Sequence, residues 1–482
     1  MQKRLGNLTR NMPLIHRFLV FIYHILILEL IPLLRRQHAP TETDEDFESF
    51  LSLQSVGRLS CSLSCQGNWD ALLDALNREN IPYVSGGWTI YFPPSKGLAL
   101  AFPEMKNYPQ GSGVKLLKHL ASPEEAVYTL NALKPAPGAA ALRRRTPKAV
   151  ELLRIAGALY NAGLGPKVHD LVAIDHPRFQ ATAFIVEHMD GPLANSTQRQ
   201  NFLSRLDEVL DQNVLGVAHG DYRMSKDFSP PDCNGNLRCG PDDSGLYVDF
   251  QSFVFRNEKL GFETWAEQHA DTVLFGPRRW GRGQGYLYQM IPGLGAAKRE
   301  TRKRWEVMDQ LFNSGGVGLK GRPVMDIGCN SGLMCYYALA RGASWAYGWD
   351  RPAVADSSRQ LLNLLGASRA TITGTSIDGD TNFTDCMQAG GAIGPHLCNG
   401  VLFFLAVSNH IGFPSGVSDL PWQYCVYEGH SNQDVEESLS KIRSSGWTES
   451  LIVLATTLIS DGDSPERVLI LFGRDPAQGK LD

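Results

Sequence analysis

Residues 324–332 read VMDIGCNSG, and the fold of the C-terminal part of the chain can be predicted from this segment. An apolar run ends in Asp326, glycines follow at Gly328 and Gly332, and the helical pattern LMCYYALARG comes next. A strand, a glycine-rich turn and a helix in this order are typical of a nucleotide-binding unit in a doubly wound sheet. The glycines allow the backbone to approach a ligand closely, and the helix N-terminus attracts the polar groups of that ligand.

A second acid supports this interpretation. The apolar run WAYGWD ends at Asp350, 24 residues after Asp326. An acid at the end of the second strand can bind the ribose hydroxyls of a nucleotide. A glycine-rich turn alone is weak evidence, so the spaced acid strengthens it considerably. Apolar runs alternate with helical patterns over residues 276–482, which predicts an α/β domain with a parallel sheet.

The segment DIGCNSG resembles the first motif of class I S-adenosylmethionine-dependent methyltransferases, D-x-G-x-x-x-G. It differs from the dinucleotide pattern G-x-G-x-x-G, so NAD is the weaker interpretation. The resemblance continues in order through ATITGTSID, VLFFLAVSNHIG, WQYCVYEGH and a closing hairpin of LIVLATTL and RVLILFGR. It implies a doubly wound, Rossmann-like α/β fold with S-adenosylmethionine as cofactor. The implied cofactor contacts are Asp326, Gly328, Asn330, Gly332, Asp350 and, near the adenine, Asp378.

The implied methyl transfer asks little of the protein because the methyl group is already activated on a sulfonium. Positioning of the acceptor and removal of its proton therefore suffice. His410, in SNHIG, is the first candidate base or substrate contact, and Glu428 and His430, in YEGH, are the second candidates. Ligands sit at such strand ends in open α/β sheets. A structural hydrogen-bonding role stays open for each histidine, and the acceptor, a small molecule or a glycan, is left open.

The middle of the chain carries a second constellation. Residues 217–221 read VAHGD and residues 246–253 read LYVDFQSF, so an apolar strand ends in His-Gly-Asp and a later one in Asp-Phe. This pair resembles the catalytic loop and the metal-binding acid of the protein kinase and aminoglycoside phosphotransferase superfamily. In that resemblance Asp221 orients the acceptor hydroxyl, and Asp249 holds Mg on the phosphates of ATP. It implies a two-lobed, kinase-like α+β domain over residues 45–275.

Upstream segments fit the same order. IPYVSGGWTIYF resembles a glycine-bearing hairpin, and GVKLLKH places a lysine on a strand, where a kinase lysine pairs with phosphate oxygens. SPEEAVYTLNAL is a predicted helix whose Glu124 or Glu125 could hold that lysine, and AFIVEHMDG resembles the strand and hinge between two lobes. The implied ATP contacts are Gly86, Gly87, Lys115 and, near the adenine, Glu187.

One position departs from that superfamily. An asparagine is expected five residues after the catalytic aspartate to bind the second metal, but this chain has Lys226 in DYRMSKDF. A cation at this position would repel magnesium or replace it. Asn234 or Asn236 could compensate. Two interpretations therefore stay open: an active phosphotransferase, or a degenerate domain that binds a substrate or partner without turnover.

Residues 18–34 form a nearly continuous apolar run, FLVFIYHILILELIPLL. Its length is at the lower limit for a membrane span, and it contains Glu29, which would cost roughly 2.5–3.5 kcal/mol in mid-membrane. A helix lying on a membrane or packed on a partner is the preferred interpretation, ahead of a buried helix or a span. No small-residue cleavage site follows, which argues against a cleaved signal peptide. The implied cosubstrates predict a cytoplasmic protein that could touch the inner face of a membrane.

Composition excludes several functional classes. The net charge of -4 and the absence of basic stretches interleaved with aromatics argue against a nucleic-acid partner. Nine cysteines in 482 residues do not form a disulfide framework, and their spacing does not match a zinc site.

The two resemblances together define the alternatives. The chain resembles bifunctional kinase/methyltransferases that cap bacterial surface polysaccharides, although those would have the opposite domain order. In them, phosphorylation and methylation act on one sugar end. The other interpretations are a methyltransferase with an inactive regulatory module and a non-enzymatic scaffold at a membrane.

Overall fold

The computed structural model describes most of the chain between residues 44 and 474. The described residues are 44–53, 56–63, 69–85, 89–117, 148–176, 179–212, 214–217, 237–240, 244–275, 286–294, 297–389, 399–430, 433–448, 451–460 and 466–474. The apolar run 18–34 lies outside them, as do Gly86, Gly87, Glu124, Glu125, Asp221 and Lys226. No helix among the described residues has the length and apolar character needed to cross a membrane.

A six-stranded sheet forms the first half of the fold. Its strands are β1 (Gly57–Ser60), β2 (Val84–Ser85), β3 (Thr89–Phe92), β4 (Ser112–Leu117), β5 (Val168–His176) and β6 (Phe179–Glu187), in the order β1-β5-β6-β4-β3-β2. All neighbours pair antiparallel except β1 with β5. The helices of this half are α1 (Asp44–Leu51), α2 (Trp69–Arg78), α3 (Lys96–Ala101) and α4 (Ala149–Asn161), with a 3-10 helix at Pro103–Asn107.

Shorter elements connect the two halves. They are α5 (Ser196–Asp211), β7 (Leu215–Val217), β8 (Leu237–Cys239), β9 (Gly245–Tyr247), a 3-10 helix (Phe250–Ser252), β10 (Phe253–Phe255), α6 (Glu258–Gln268), α7 (Ala270–Val273), β11 (Leu274–Phe275), β12 (Tyr286–Gln289) and β13 (Ala297–Arg299). The strands pair locally, as β7 with β10, β8 with β9, and β11-β12-β13 in a small sheet.

A seven-stranded sheet forms the second half. In chain order its elements are α8 (Thr301–Ser314), β14 (Pro323–Ile327), α9 (Leu333–Ala340), β15 (Trp345–Asp350), α10 (Pro352–Leu364), β16 (Ala370–Gly374), α11 (Phe383–Ala389), β17 (Gly400–Leu405), α12 (Ser408–Ile411), a 3-10 helix (Ser415–Val417), β18 (Trp422–Glu428), α13 (Val435–Ser444), β19 (Leu451–Ile459) and β20 (Arg467–Arg474). The strand order is β16-β15-β14-β17-β18-β20-β19, parallel except for β20, which runs antiparallel to both neighbours. The predicted α/β parallel sheet and its closing hairpin are confirmed.

Strand β14 is the third strand from one edge of this sheet and is buried along its whole length. Val324 faces one apolar core, while Met325 and Ile327 face the other. Helices on both faces explain why the strand reads as a continuous apolar run rather than an alternating one. The chain leaves β16 at one edge and returns at β17 on the other side of β14, so β14 and β17 meet at a topological switch point. Ligands of open α/β sheets bind at such points.

The two halves pack directly against each other along helices α4 and α10. The amide of Asn363 donates to Oδ1 of Asn161 at 2.9 Å, and the indole of Trp265 donates to the carbonyl of Ser357 at 2.8 Å. Strands β11 and β12, on either side of the predicted boundary at 275/276, are hydrogen-bonded partners. The boundary itself stays a prediction.

A buried carboxylate, that of Asp170 in β5, also joins the halves. It is fully buried and accepts hydrogen bonds from the hydroxyls of Tyr108 at 2.8 Å and Ser368 at 3.0 Å. The guanidinium of Arg369 lies 3.5 Å away. Burial raises the pKa of Asp170, although these partners favour its charged form. Ser368 and Arg369 belong to the second half, so the charge of Asp170 is balanced across the interface.

Replacing Gly157 in α4 with alanine should weaken this interface. A β-carbon there would lie 1.9 Å from the backbone oxygen of Asn363. Since this oxygen belongs to a helix backbone, it cannot move away without shifting the helix. The usual gain of about 0.5–1 kcal/mol for alanine over glycine in a helix should therefore reverse into a loss of about 1–3 kcal/mol. Urea unfolding of the full chain measures this change. Gly261→Ala in α6 is the matched control, since its β-carbon meets only a Val214 side-chain atom at 3.2 Å; equal effects for both variants would contradict the close-contact explanation.

Candidate functional site

The turn after β14 has an unusual backbone. Gly328, Asn330 and Gly332 adopt φ values of 77°, 50° and 79°. Glycine takes such angles without steric cost, and asparagine tolerates them better than most residues. A β-carbon at Gly328 would lie 2.5 Å from Cγ1 of Val407, which follows β17. The glycine therefore allows the turn to approach the end of the neighbouring strand.

Asp350, the last residue of β15, is tied to the same turn. Its Oδ2 accepts a hydrogen bond from the backbone N–H of Asn330 at 2.8 Å, and its Oδ1 accepts from Arg351 N–H at 2.8 Å. Burial raises the pKa of Asp350, while these two bonds favour the charged carboxylate. The turn and the acid thus form one structural unit at the carboxyl edge of the sheet, with the acid held in a fixed orientation.

Asp326 lies beneath the turn and is 2% exposed. Burial raises the pKa of Asp326 to about 7, and the negative charge of Asp350 adds to the effect. Arg304 opposes it, as does a hydrogen bond from the Cys335 thiol. The carboxyl group is therefore poised to gain or lose a proton near neutral pH, so that a nearby positive charge would favour its ionised form.

The side chain of Asn330 has one unmet polar atom. Its Oδ1 is buried and has no hydrogen-bond partner among the described residues. An unsatisfied buried acceptor costs about 1–3 kcal/mol. A ligand that donates a hydrogen bond at the turn would recover this energy. The atom is shielded from solvent, so a donor could reach it only after the Asn330 side chain moves.

The opposite rim of the site begins where β17 ends. Ala406 has a φ of 57°, and its N–H donates to the carbonyl of Glu428 at 3.2 Å. The hydroxyls of Ser408 and Tyr427 lie 3.3 Å apart. Non-glycine residues with positive φ are costly and concentrate at ligand sites. The strained residue at this strand end therefore supports a functional rim, although no sequence signal marks it.

The two predicted histidines meet at this rim, with ring centroids 6.4 Å apart. Nε2 of His430 accepts the backbone N–H of Asn409 at 3.1 Å, so the neutral ring carries its proton on Nδ1. Burial lowers the pKa of His430, and positive charge on His410, Lys441 and Arg299 lowers it further. The lone pair of His430 is engaged, whereas His410 is exposed to solvent. His410 is therefore the better placed candidate base.

Glu428 ends β18 as predicted, but it does not face solvent. It is fully buried, and its oxygens lie 2.6 Å from Nη1 of Arg304 and 2.6 Å from Nη1 of Arg467. Its carboxylate thus joins α8 and β20 to β18. Asp378 is exposed and closes a turn of its own, accepting from the Thr381 hydroxyl at 2.8 Å.

The ribbon formed by β12 and β13 was not predicted from the sequence. Gln289 in β12 accepts a hydrogen bond from the Ser331 hydroxyl in the glycine-rich turn at 2.6 Å. Gln289 pairs in register with Arg299, and the positive charge of Arg299 lowers the pKa of His430. The ribbon therefore spans from the turn toward the histidines. Its strands are too short to carry an apolar periodicity, so the sequence offered no signal for them.

A second polar site lies in the first half. Lys115 in β4 is 8% exposed and forms an ion pair with Asp249, Nζ to Oδ1, at 2.9 Å. The same Nζ lies 3.3 Å from the carbonyl of Val248. The structure thus brings together two of the predicted nucleotide and metal contacts. Glu187 is exposed and accepts the backbone N–H of Lys167 at 3.1 Å.

Comparisons with known proteins find structural matches only. No family model matches the chain, and no curated protein matches it. Magnesium protoporphyrin IX methyltransferase from Synechocystis PCC 6803, solved with bound S-adenosylmethionine, is 15% identical over 36% of this chain and 77% of its own, with a TM-score of 0.25. An S-adenosylmethionine-dependent methyltransferase from Mesorhizobium loti is 13% identical over 36% of this chain and 98% of its own, with a TM-score of 0.25.

Proposed function

We propose that the second half of this protein binds S-adenosylmethionine at the carboxyl edge of the seven-stranded sheet and transfers its methyl group to an acceptor. The observation that carries the proposal is the 2.8 Å hydrogen bond between Asn330 N–H and Asp350 at the end of β15. It fixes an acid beside a glycine-rich turn at the topological switch point, where a nucleoside binds in such folds. The strand order with its antiparallel closing hairpin agrees with the class I methyltransferase resemblance.

In this proposal, some residues of the site bind the cofactor and one accepts a proton. Asp350 would accept the ribose hydroxyls, and the turn at Gly328 would let the backbone approach the amino-acid part of the cofactor. Asp326 would face the positive charge of that part. S-adenosylmethionine supplies an activated methyl group when bound. His410, exposed at the opposite rim, would take the proton of the acceptor.

The test uses the full chain and two ligands. Thermal unfolding should shift upward with S-adenosylmethionine, because a ligand at a hundredfold excess over its dissociation constant stabilises the native state by about 2.7 kcal/mol. NAD, the ligand of the alternative Rossmann-type interpretation, should give no shift. Labelled S-adenosylmethionine added to a cell extract fractionated into glycans, lipids and proteins would then identify the acceptor. A shift with NAD alone, or with neither ligand, would reject the proposal.

The affinity for S-adenosylmethionine should fall as pH falls below neutrality. The raised pKa of Asp326, about 7, means that the carboxyl group of the free protein is increasingly protonated below this pH. The cationic ligand favours the ionised carboxylate, so binding must release this proton, and each pH unit below the pKa lowers affinity by at most about tenfold. Isothermal titration between about pH 5.5 and pH 7.5 measures the trend. Asp326→Asn should bind more weakly and without this pH dependence; a flat profile for the wild type would show that the carboxyl group does not meet the ligand's charge.

We propose as a second function that the first half binds the phosphates of a nucleoside triphosphate. The Lys115–Asp249 ion pair favours this, since it places a buried cation next to a carboxylate at the face of a sheet. The residues fit a magnesium site in part. Asp249 could supply one carboxylate, and magnesium commonly takes its other ligands from substrate phosphates and water. No group of three or more metal-ligating side chains occurs within the described part of the chain.

Two variants separate binding from turnover in this half. Lys115→Ala should abolish an ATP-induced thermal shift, because it removes the cation. Asp221→Asn should leave ATP binding intact and abolish phosphate release or transfer if the domain is active. If the wild type binds ATP but, like Asp221→Asn, neither releases nor transfers phosphate, the domain is a binding or regulatory module, as Lys226 suggests. ATP binding that survives in Lys115→Ala would contradict the proposed site.

For the acceptor, we propose a small molecule or a glycan that both halves could modify. Two transferase-like sites on one chain, and the apolar run at residues 18–34, support an acceptor at the inner face of a membrane. Flotation of the full chain with liposomes, compared with a variant carrying Leu26→Asp and Leu28→Asp, tests the membrane contact. Equal flotation of both forms would reject it.

A further inference from the structure

Tyr91, Lys115, Asp249 and Phe250 lie together on one face of the six-stranded sheet, and we call the surface that they line the Lys115 groove. Tyr91 in β3 and Lys115 in β4 are register partners, so their side chains stand on the same face. Asp249 approaches this face and pairs with the lysine, and the ring centroid of Phe250 lies 4.8 Å from Nζ of Lys115. The ring of Phe250 contacts that of Phe184 edge to face at 5.0 Å, which closes the groove beside the lysine. Tyr91 thus stands over the same groove as the proposed phosphate-binding cation.

Tyr91 is held in place by a chain of hydrogen bonds. Its hydroxyl donates to Nδ1 of His188, and Nε2 of His188 bonds to the carboxylate of Asp190. The two rings are stacked, with centroids 5.7 Å apart and an interplanar angle of 20°. Burial raises the pKa of Tyr91, and the negative charge of Asp190 adds to the effect, so the phenol stays protonated as a donor. We call Tyr91, His188 and Asp190 the latch.

The ring of Tyr91 lies directly against the backbone of β4. A β-carbon at Gly113, two residues before Lys115, would be 2.6 Å from the Tyr91 hydroxyl oxygen and 2.8 Å from its ring. Glycine at this position therefore makes room for the tyrosine. The Tyr91 side chain therefore occupies space on the same face of the sheet as Lys115, the proposed phosphate-binding cation.

We propose that Tyr91 is a gate that determines ligand specificity in the Lys115 groove. With the latch closed, the groove accepts a phosphate chain at Lys115 and excludes the flat ring of a nucleoside. A nucleotide binds only after Tyr91 leaves His188, so its apparent affinity is reduced by the fraction of molecules in which the gate is open. This inference rests on the proposed phosphate site at Lys115.

The test compares two ligands that share the phosphates and differ in the ring. Tripolyphosphate and ATP are titrated calorimetrically against the wild type, Tyr91→Ala and Tyr91→Phe. Tyr91→Ala should raise ATP affinity by at least about tenfold, because the gate is removed. Tyr91→Phe keeps the ring and loses only the latch bond, so a rise of several-fold is expected. Tripolyphosphate should bind all three forms equally. Tyr83→Phe, which alters a tyrosine packed on the opposite face of the sheet, is the matched control and should change neither ligand.

Two different results would contradict the proposed role of Tyr91. Unchanged or weaker ATP binding in Tyr91→Ala, with tripolyphosphate binding intact, would mean that Tyr91 supports the nucleoside rather than excluding it. Failure of tripolyphosphate to bind any form, in protein that still responds to S-adenosylmethionine, would remove the phosphate site and the gate together. The tripolyphosphate titration therefore tells the failure of the second proposed function from the failure of this inference.

Discussion

Replacing Glu428 with alanine should lower the free energy of unfolding by about 3–5 kcal/mol. The carboxylate is fully buried and lies between Arg304 and Arg467, whose side chains are 9% and 3% exposed. Its removal leaves two cations in a poorly solvated space with their main counter-charge gone. Urea unfolding of the full chain, followed by intrinsic fluorescence, measures the loss.

The control for this prediction is another glutamate in an ion pair. Glu437 pairs with Lys441 one helical turn away at 3.0 Å, and both side chains are substantially exposed. Surface pairs contribute at most about 1 kcal/mol, so Glu437→Ala should be nearly neutral. If Glu428→Ala retained the stability of the wild type and lost methyl transfer, the carboxylate would serve the chemistry, as the sequence alone suggested, and the structural interpretation would be wrong.

Asp350→Ala should reduce the affinity for S-adenosylmethionine by at least about a hundredfold, because two hydrogen bonds to a charged group contribute about 1.5–3 kcal/mol each. The carboxylate already accepts two backbone N–H groups at 2.8 Å, so it is oriented before a ligand arrives. Preorganisation of this kind means that little binding energy is spent on ordering the side chain. Isothermal titration of the variant measures the effect.

Asp356→Ala is the matched control for Asp350. Asp356 lies in α10, six residues after Asp350, and pairs with Arg359 on the exposed side of the helix at 3.3 Å. Its removal should leave affinity for S-adenosylmethionine unchanged. A small effect of Asp350→Ala, or equal effects of both variants, would place the nucleoside elsewhere and reject the proposed orientation of the cofactor.

The part of the fold that was predicted from sequence is the part that local patterns encode. The strand before Asp326, the turn with Gly328 and Gly332, and the strand that ends at Asp350 all follow from apolar runs bounded by glycines and acids. Positions at strand ends can be inferred in the same way, and His410 does lie just beyond the end of β17. Periodicity fixes where an element ends and which edge of the sheet its next residues occupy.

What could not be predicted depends on contacts between distant residues. Glu428 was correctly placed at a strand end, but its two arginines come from α8 and β20, and no local pattern links them. The same holds for Gln289, which reaches the glycine-rich turn from a strand too short to show a period. The left-handed backbone at Ala406 has no sequence signature either, because alanine does not favour that conformation.

The carboxylate of Asp170 has a consequence for how the chain can be divided. Two of the groups that balance its charge, Ser368 and Arg369, lie roughly two hundred positions later in the chain, and the carboxylate is fully buried. Separating the two halves would remove two of the partners of this carboxylate, including its positively charged one, and would expose the buried interface to water. The full chain should therefore unfold in one cooperative transition, and neither half should fold stably when it is expressed alone.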